Sequence, residues 1–274
     1  MCRVLEVSRS GYYAWRGRPP SEREMANREL YKKIKAVYDE RGQVYGSPRT
    51  YDALKARGIV CSENRIARLM RLRGLRAKQE QTYKNTTKRN KAHPVAPNLL
   101  QRDFSTDRPN EKWLTDSTYI RTEEGWLYLA VVLDLYSRRI VGWAMSGRMT
   151  GELTIKALQM ALSHRDVEPG LIHHSDQGSQ YTTSGYRRLL KEWGIKASMN
   201  SVGTWYDNAP VESFFATLKA ERVHHCTYRT RAEARADIFS YIEAFYNRRR
   251  IHSALGSVSP VAYEQLYHVT TGFA

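Results

Sequence analysis

Cysteine is scarce in this chain: three residues in 274, at positions 2, 61 and 226. An odd, scattered set implies no disulfide framework, and no Cys-x-x-Cys pair is present. The cluster His224-His225-Cys226 has no second ligand pair at zinc spacing, so surface or packing roles are expected of it. Long apolar runs are lacking too. The stretch from Trp126 to Leu133 is strand length, far short of the roughly 20 residues a membrane span requires. No apolar segment followed by a small-residue cleavage site marks a leader, so a cytoplasmic protein without membrane association is expected. No internal repeat and no long heptad run occur. What remains is an ordinary globular composition, 41% apolar, which excludes wholesale disorder.

Charge of one sign is in short supply. Asp and Glu number 28 against 44 Lys and Arg, a formal net charge of +16. The surplus is uneven. Residues 1–110 hold 25 basic and 11 acidic side chains, whereas residues 111–274 hold 19 and 17. A basic first segment ahead of a nearly neutral remainder points to a polyanionic partner, nucleic acid or an anionic membrane, with nucleic acid favoured.

The pattern divides the chain into four stretches. Residues 1–77 read as helical and helix-turn-helix-like. Cys2 to Trp15 reads as a small helix-turn-helix or its remnant. Ser21 and Glu24 have capping-box spacing, and Leu30, Ile34 and Val37 follow at helical period over 22–40. Pro48 suits a first helical turn, and Gly58 stops a short helix carrying Tyr51 and Leu54. Ser62 caps a further helix carrying Ile66, Leu69 and Met70, which Gly74 stops. Arg65, Arg68 and Arg71 on that last helix are the candidate DNA contacts, with a basic helical bundle as the plain alternative. Residues 78–110 are polar, basic and broken by Pro94, Pro97 and Pro109, and read as a linker.

From 111 to 228 the texture is strand and helix. Trp113–Ile120, Trp126–Leu133 and Ile140–Met145 predict a three-strand meander. A helix over Leu153–Leu162, a strand over Leu171–His174, a helix over Tyr186–Trp193, a strand over Ile195–Met199 and a helix from Asn208 follow. Together they predict an α/β domain with a five-stranded mixed sheet and flanking helices. Residues 229–274 form a helical C-terminal extension. It contains Arg248, Arg249 and Arg250, candidate DNA contacts, beside His252.

Three carboxylates stand out. Asp116 is mid-strand, Asp176 lies just past a strand end, and Glu212 lies in the first turn of a helix. Each alone has a structural explanation: solvation, a turn, a helix dipole. Together they form a hard oxygen donor set suited to Mg²⁺, and paired ions of that kind serve phosphoryl transfer. Asp134, near a hairpin turn, is the rival carboxylate and is expected in a turn role. His174 either orients Asp176 or packs at a strand end. Asn208 is expected to cap its helix. Lys219 lies two helical turns beyond Glu212 on the same face, where a basic side chain meets a phosphate or simply faces solvent.

The motifs WLTDSTY around Asp116, HSDQGSQY around Asp176 and WYDNAPVESFFATLK around Glu212 occur in that order, with 35 residues between Asp176 and Glu212. In this the chain resembles the catalytic core of DDE transposases and retroviral integrases. It is most similar to the second-frame product (OrfB) of insertion sequences of the IS-three family. The likeness runs from Trp113 to Leu218, continues through FYNRRRIHSALGSVSP, and extends more weakly to YGSPRTYDAL and RLMRLRGL. The resemblance implies an RNase H-like fold, with Asp116, Asp176 and Glu212 as catalytic residues holding two Mg²⁺ (or Mn²⁺). It implies a transposase that cleaves DNA at element ends and joins the freed 3′-OH to a second phosphodiester, and a basic residue at the Lys219 position. It also implies a multimer on DNA and an OrfA partner, as a separate product or as an OrfA-OrfB fusion. Rival readings are a non-catalytic DNA-binding regulator or element remnant, and a nuclease that only hydrolyses.

Overall fold

The computed structural model describes residues 2, 4, 6–78, 96–200 and 207–272. The chain forms two compact units, Met1–Lys78 and Gln79–Ala274.

The first unit is helical: α1 (Arg9–Arg16), α2 (Glu22–Glu40), α3 (Ser47–Ala56) and α4 (Glu63–Leu72). Ser21 Oγ accepts from Glu24 N at 3.2 Å, and Ser62 Oγ from Arg65 N at 3.3 Å, so both serines cap as their spacing predicts. The capping box is only half made, because the Glu24 carboxylate turns along α2 to Arg28 at 2.7 Å. Leu30, Ile34 and Val37 of α2 are buried with Leu54, Ile66, Leu69 and Met70, the apolar stripe of a helical bundle. Gly58 and Gly74 follow their helices with φ of +73° and +68°, a left-handed turn that glycine adopts without strain. Cys2 to Trp15 does not hold a helix pair among the described residues. Its Ser-Gly step lies inside α1, where Ser8 Oγ accepts from Gly11 N at 3.0 Å, so one helix replaces the expected turn.

The second unit is built on five strands: β1 (Lys112–Thr122), β2 (Gly125–Asp134), β3 (Ile140–Ser146), β4 (Ile172–Ser175) and β5 (Lys196–Met199). Their order is β3-β2-β1-β4-β5. β1, β2 and β3 form the antiparallel meander, and β4 and β5 join in parallel. Parallel pairing requires crossover connections, supplied by α5 (Gly151–His164) and α6 (Ser184–Glu192).

Strand alternation sorts the side chains onto two faces. Trp113, Ala130, Val132 and Val141 pack with α5 and α6. Gly142 lets α5 lie directly on β3, since a Cβ there would stand 2.2 Å from the Ala157 carbonyl oxygen. Leu114, Ile120, Leu129, Val131 and Leu133 pack on the other face with α7 (Ala209–Glu221) and α8 (Arg231–Ser240). The chain continues from α8 as a π-helical segment over Tyr241–Tyr246, and ends in α9 (Pro260–Thr271).

One expected boundary is corrected. Residues 96–110 are not linker. Leu100 is buried in the sheet core, Leu99 N donates to Ser198 Oγ at 2.9 Å, and Asn98 Nδ2 donates to Asp207 at 2.9 Å. Residues 79–95 of that expected linker lie outside the described residues. The C-terminal stretch is helical, as expected, and its Ala234, Ile238, Tyr241, Ile242 and Tyr246 pack into the same core. Among the described residues no helix is long and apolar enough to cross a membrane.

Candidate active site

Asp116 lies on β1 opposite Val131 of β2, on the alternation that turns Leu114 and Ile120 toward α7. β4 pairs with β1 only over Lys112–Leu114, with Leu114 beside His174. Carried two residues further, that register brings Asp176 abreast of Asp116. The chain leaves the sheet there, and Asp176 Oδ1 accepts from Gly178 N at 2.9 Å, an aspartate turn outside the carboxyl end of a strand. Glu212 occupies the first turn of α7, whose Val211, Phe214, Phe215 and Leu218 anchor the helix in the core.

The three carboxylates sense one another. Burial pushes the Asp116 carboxyl well above the usual range, and the charges of Asp176 and Glu212 raise it further. Its hydrogen bond from Ser117 N at 2.7 Å and the Lys219 charge act in opposition. Burial also raises Asp176, against the pull of the Gly178 N–H. Glu212 is raised by burial and by Asp176. Lys219 is drawn down by burial while the Asp116 charge holds it up, and its Nζ stands 5.2 Å from the Tyr119 ring centroid. So a strand centre, a strand end and a helix start bring three acids and one base into mutual electrostatic range.

The donor set fits hard divalent cations in kind: three carboxylates whose mutual repulsion such an ion relieves. Among the described residues, no three His, Cys, Asp or Glu side chains stand close enough together to hold a metal ion.

Other expectations meet a mixed outcome. Asp134 takes a turn role: buried, it accepts from Ser137 N at 3.2 Å, Asn110 N at 2.7 Å and Trp113 Nε1 at 3.2 Å. His174 does not orient Asp176. Its ring nitrogens meet Ser198 Oγ at 2.8 Å and Asn200 Oδ1 at 2.6 Å, which ties β4 to β5. Asn208 stands at the N-cap of α7, but its side chain makes no capping bond; Nδ2 donates instead to the Thr115 carbonyl at 3.3 Å. His225 Nε2 meets the Ala220 carbonyl at 2.8 Å, a packing role.

The basic candidates divide. Arg68 and Arg71 are exposed on α4, whereas Arg65 is half-buried with Nε donating to Asn27 Oδ1 at 2.8 Å. Arg248 and Arg249 are exposed. Arg250 is not a surface contact. It is buried, and its guanidinium meets the buried Glu221 at 2.9 Å, so it is taken up inside the fold. Tyr181 escaped the sequence reading. It is buried, and its phenol is pushed well up by burial first and then by the Asp116 and Asp176 charges. Its position five residues after Asp176 in HSDQGSQY was the available signal.

Strand order, crossover helices and the placement of the acids define an RNase H-like integrase core preceded by a helix-turn-helix-like unit. The integrase core domain family matches residues 106–204 and again 212–266, and an HTH-like domain family matches residues 25–83. The chain is 47% identical over 268 residues to the insertion element IS600 uncharacterized 31 kDa protein of Shigella sonnei, covering 98% of each. It is 44% identical over 266 residues to transposase InsF for insertion sequence IS3A of Escherichia coli (strain K12), covering 96% of this chain and 92% of the relative. Among solved structures, the HTLV-2 integrase catalytic core domain with magnesium aligns at a TM-score of 0.45 and 18% identity, over 57% of this chain and 97% of that one. The chain belongs to the insertion-sequence transposase family that includes InsF of IS3.

Proposed function

We infer that this chain is a DDE-type transposase that acts on double-stranded DNA at the ends of an insertion sequence. Water attacks phosphorus at the element end, the P–O3′ bond breaks, and the leaving oxygen takes a proton to become a free 3′-OH. That hydroxyl then attacks a phosphodiester of the target. A new P–O3′ bond forms, and the target's own 3′ oxygen leaves and is protonated. No bond to the enzyme forms in either step. The observation that carries this reading is the 44% identity to transposase InsF over 96% of this chain, within which Asp116, Asp176 and Glu212 fall on β1, past the end of β4 and in the first turn of α7.

Asp116, Asp176 and Glu212 would hold two Mg²⁺ (or Mn²⁺), which when bound supply Lewis acidity at the attacking and leaving oxygens. The protein's part is orientation. β1 and α7 are fixed by the core, so Asp116 and Glu212 are held on rigid elements. Lys219, whose charge senses that of Asp116, would meet a non-bridging phosphate oxygen. Arg65, Arg68 and Arg71 of the helix-turn-helix-like unit, with Arg248 and Arg249 of the core unit, would contact DNA phosphates. The protein would work in the bacterial cytoplasm as a multimer that pairs two DNA ends, with an OrfA product or fusion as partner.

The test is substitution of Asp116, Asp176 or Glu212 by its amide. Each variant should bind an element-end duplex normally yet lose nicking and joining of a pre-cut end. Near-normal joining by a variant removes that residue from the site. Hydrolysis without joining in the wild type favours a nuclease, and binding alone favours a regulator or remnant.

A further inference from the structure

Beside the carboxylates lies a surface feature that the strand-transfer steps leave unused. Tyr119 and Trp126 are large aromatic residues, 43% and 46% exposed, on the hairpin formed by β1 and β2. Their rings meet edge to face at 4.9 Å between centroids. Tyr119 is three residues beyond Asp116, about 10 Å along the strand at the usual rise, an odd step that puts the two side chains on opposite faces of β1, so it is Lys219 that relates them. β4 pairs with β1 only up to Leu114, so this part of β1 has no strand partner on that side among the described residues.

The surroundings are cationic. Lys219 Nζ lies 5.2 Å from the Tyr119 centroid and also senses the Asp116 charge, so one ammonium links the aromatic pair to the carboxylates. Arg231 Nε donates to the Trp126 carbonyl at 3.0 Å, and Arg121 is exposed beside Trp126 in the strand register. The nearby Glu124 carboxylate is already taken up, accepting from Arg231 N at 2.8 Å.

We propose that Tyr119 and Trp126 form a stacking shelf for one unpaired DNA base next to the phosphate being cut or joined. The inference rests on the strand-transfer reading for which phosphate that is. Paired exposed rings flanked by cations fit a nucleotide, which offers a π-face and an anion together. They fit a purely apolar partner less well, because three cations would have to be covered. A cation over a ring is held weakly, whereas ammonium to phosphate is a charge-assisted bond. A phosphate at the carboxylates therefore draws Lys219 off the Tyr119 face and leaves that face to the base. Because no base-edge donors or acceptors are involved, the shelf selects an unstacked base rather than a particular one.

The experiment uses the full chain with Ca²⁺, so that binding is read without cleavage, and an element-end duplex carrying 2-aminopurine at successive positions around the cut phosphate. One position should be quenched on binding. That quenching should be lost in Trp126→Ala and Tyr119→Ala and kept in Trp126→Phe and Tyr119→Phe. In Mg²⁺, the alanine variants should join a pre-cut end about tenfold more slowly, the order expected for one lost base stack. Quenching that is unchanged in both alanine variants overturns the proposal. So does a wild-type multimer that dissociates in Trp126→Ala, since the patch is then a protein interface. Position-specific quenching in a wild type that never joins DNA supports the shelf and sinks the strand-transfer reading instead. Melting temperatures check folding, and both side chains are exposed enough that truncation leaves no buried cavity.

Discussion

Asn208 donates its side-chain Nδ2 to the carbonyl of Thr115 at 3.3 Å, while its own carbonyl accepts from Glu212 N at 3.0 Å. Thr115 immediately precedes Asp116. One buried residue therefore joins the strand that carries one carboxylate to the helix that carries another.

Asn208→Ala should uncouple the two. Loss of one net hydrogen bond costs about 1 kcal/mol of stability. Nicking should suffer more, roughly 10- to 100-fold, because small misplacements of reacting groups are costly. Denaturant melts, DNA affinity and single-turnover nicking measured together test this. A nicking loss no larger than the stability loss would show that the tie does not govern geometry.

The folded-state pKa of Asp116 is raised by burial and by Asp176 and Glu212. The folded chain then binds the more protons at this site, so stability is lost as pH rises from the ordinary aspartate value of about 3.9 through the raised one. Asp116→Asn carries no such charge and can still accept from Ser117 N. In chelator, its melting temperature should match wild type near pH 4 and exceed it increasingly toward pH 7, and Mg²⁺ should narrow the gap. A constant gap across pH would mean that neither burial nor the neighbouring carboxylates raise Asp116 in the folded chain.

Arg250 and Glu221 form a buried pair, further bonded by Tyr241 Oη to Glu221 at 2.7 Å. Arg250→Ala should cost about 3–5 kcal/mol by leaving a buried carboxylate uncompensated. Arg248→Ala should instead leave the melting temperature near wild type and weaken DNA binding. Each lost phosphate contact lowers the log–log salt slope by about 0.9. A salt titration beside a denaturant melt separates the two kinds of arginine.

The charge asymmetry predicts a division of labour. A fragment of residues 1–78, the helical unit, should bind duplex DNA with steep salt dependence, because it carries +11 of the net +16 charge. A fragment of residues 79–274, which keeps its core whole and carries +5, should bind more weakly. Equal affinity and equal salt slopes for the two would show that the helical unit is not the main anchor.

Much of the architecture was legible because it is written locally. The short apolar run Trp126–Leu133 and the helical stripe of Leu30, Ile34 and Val37 need only their neighbours to declare their structure. The serines at 21 and 62 cap for the same reason. The end of the expected linker was misread because polar, proline-broken sequence looks alike whether free or laid against a sheet edge. Leu100 and Phe104 were the hints of core-facing side chains there. Continuation of the core past residue 228 was equally hidden, since an amphipathic helix does not say which sheet it covers.

The sequence by itself determined the strands and helices, the uneven charge, and the three acidic residue types at their spacing, because these depend on composition and short-range period. Tertiary structure decided what each polar side chain meets. Arg250 finds Glu221 across 29 residues, and Asn208 finds Thr115 across 93. His174 turns to Ser198 rather than Asp176 because β5 pairs alongside β4. A polar atom leaving water must find a partner, and which partner lies within about 3 Å depends on how distant segments pack.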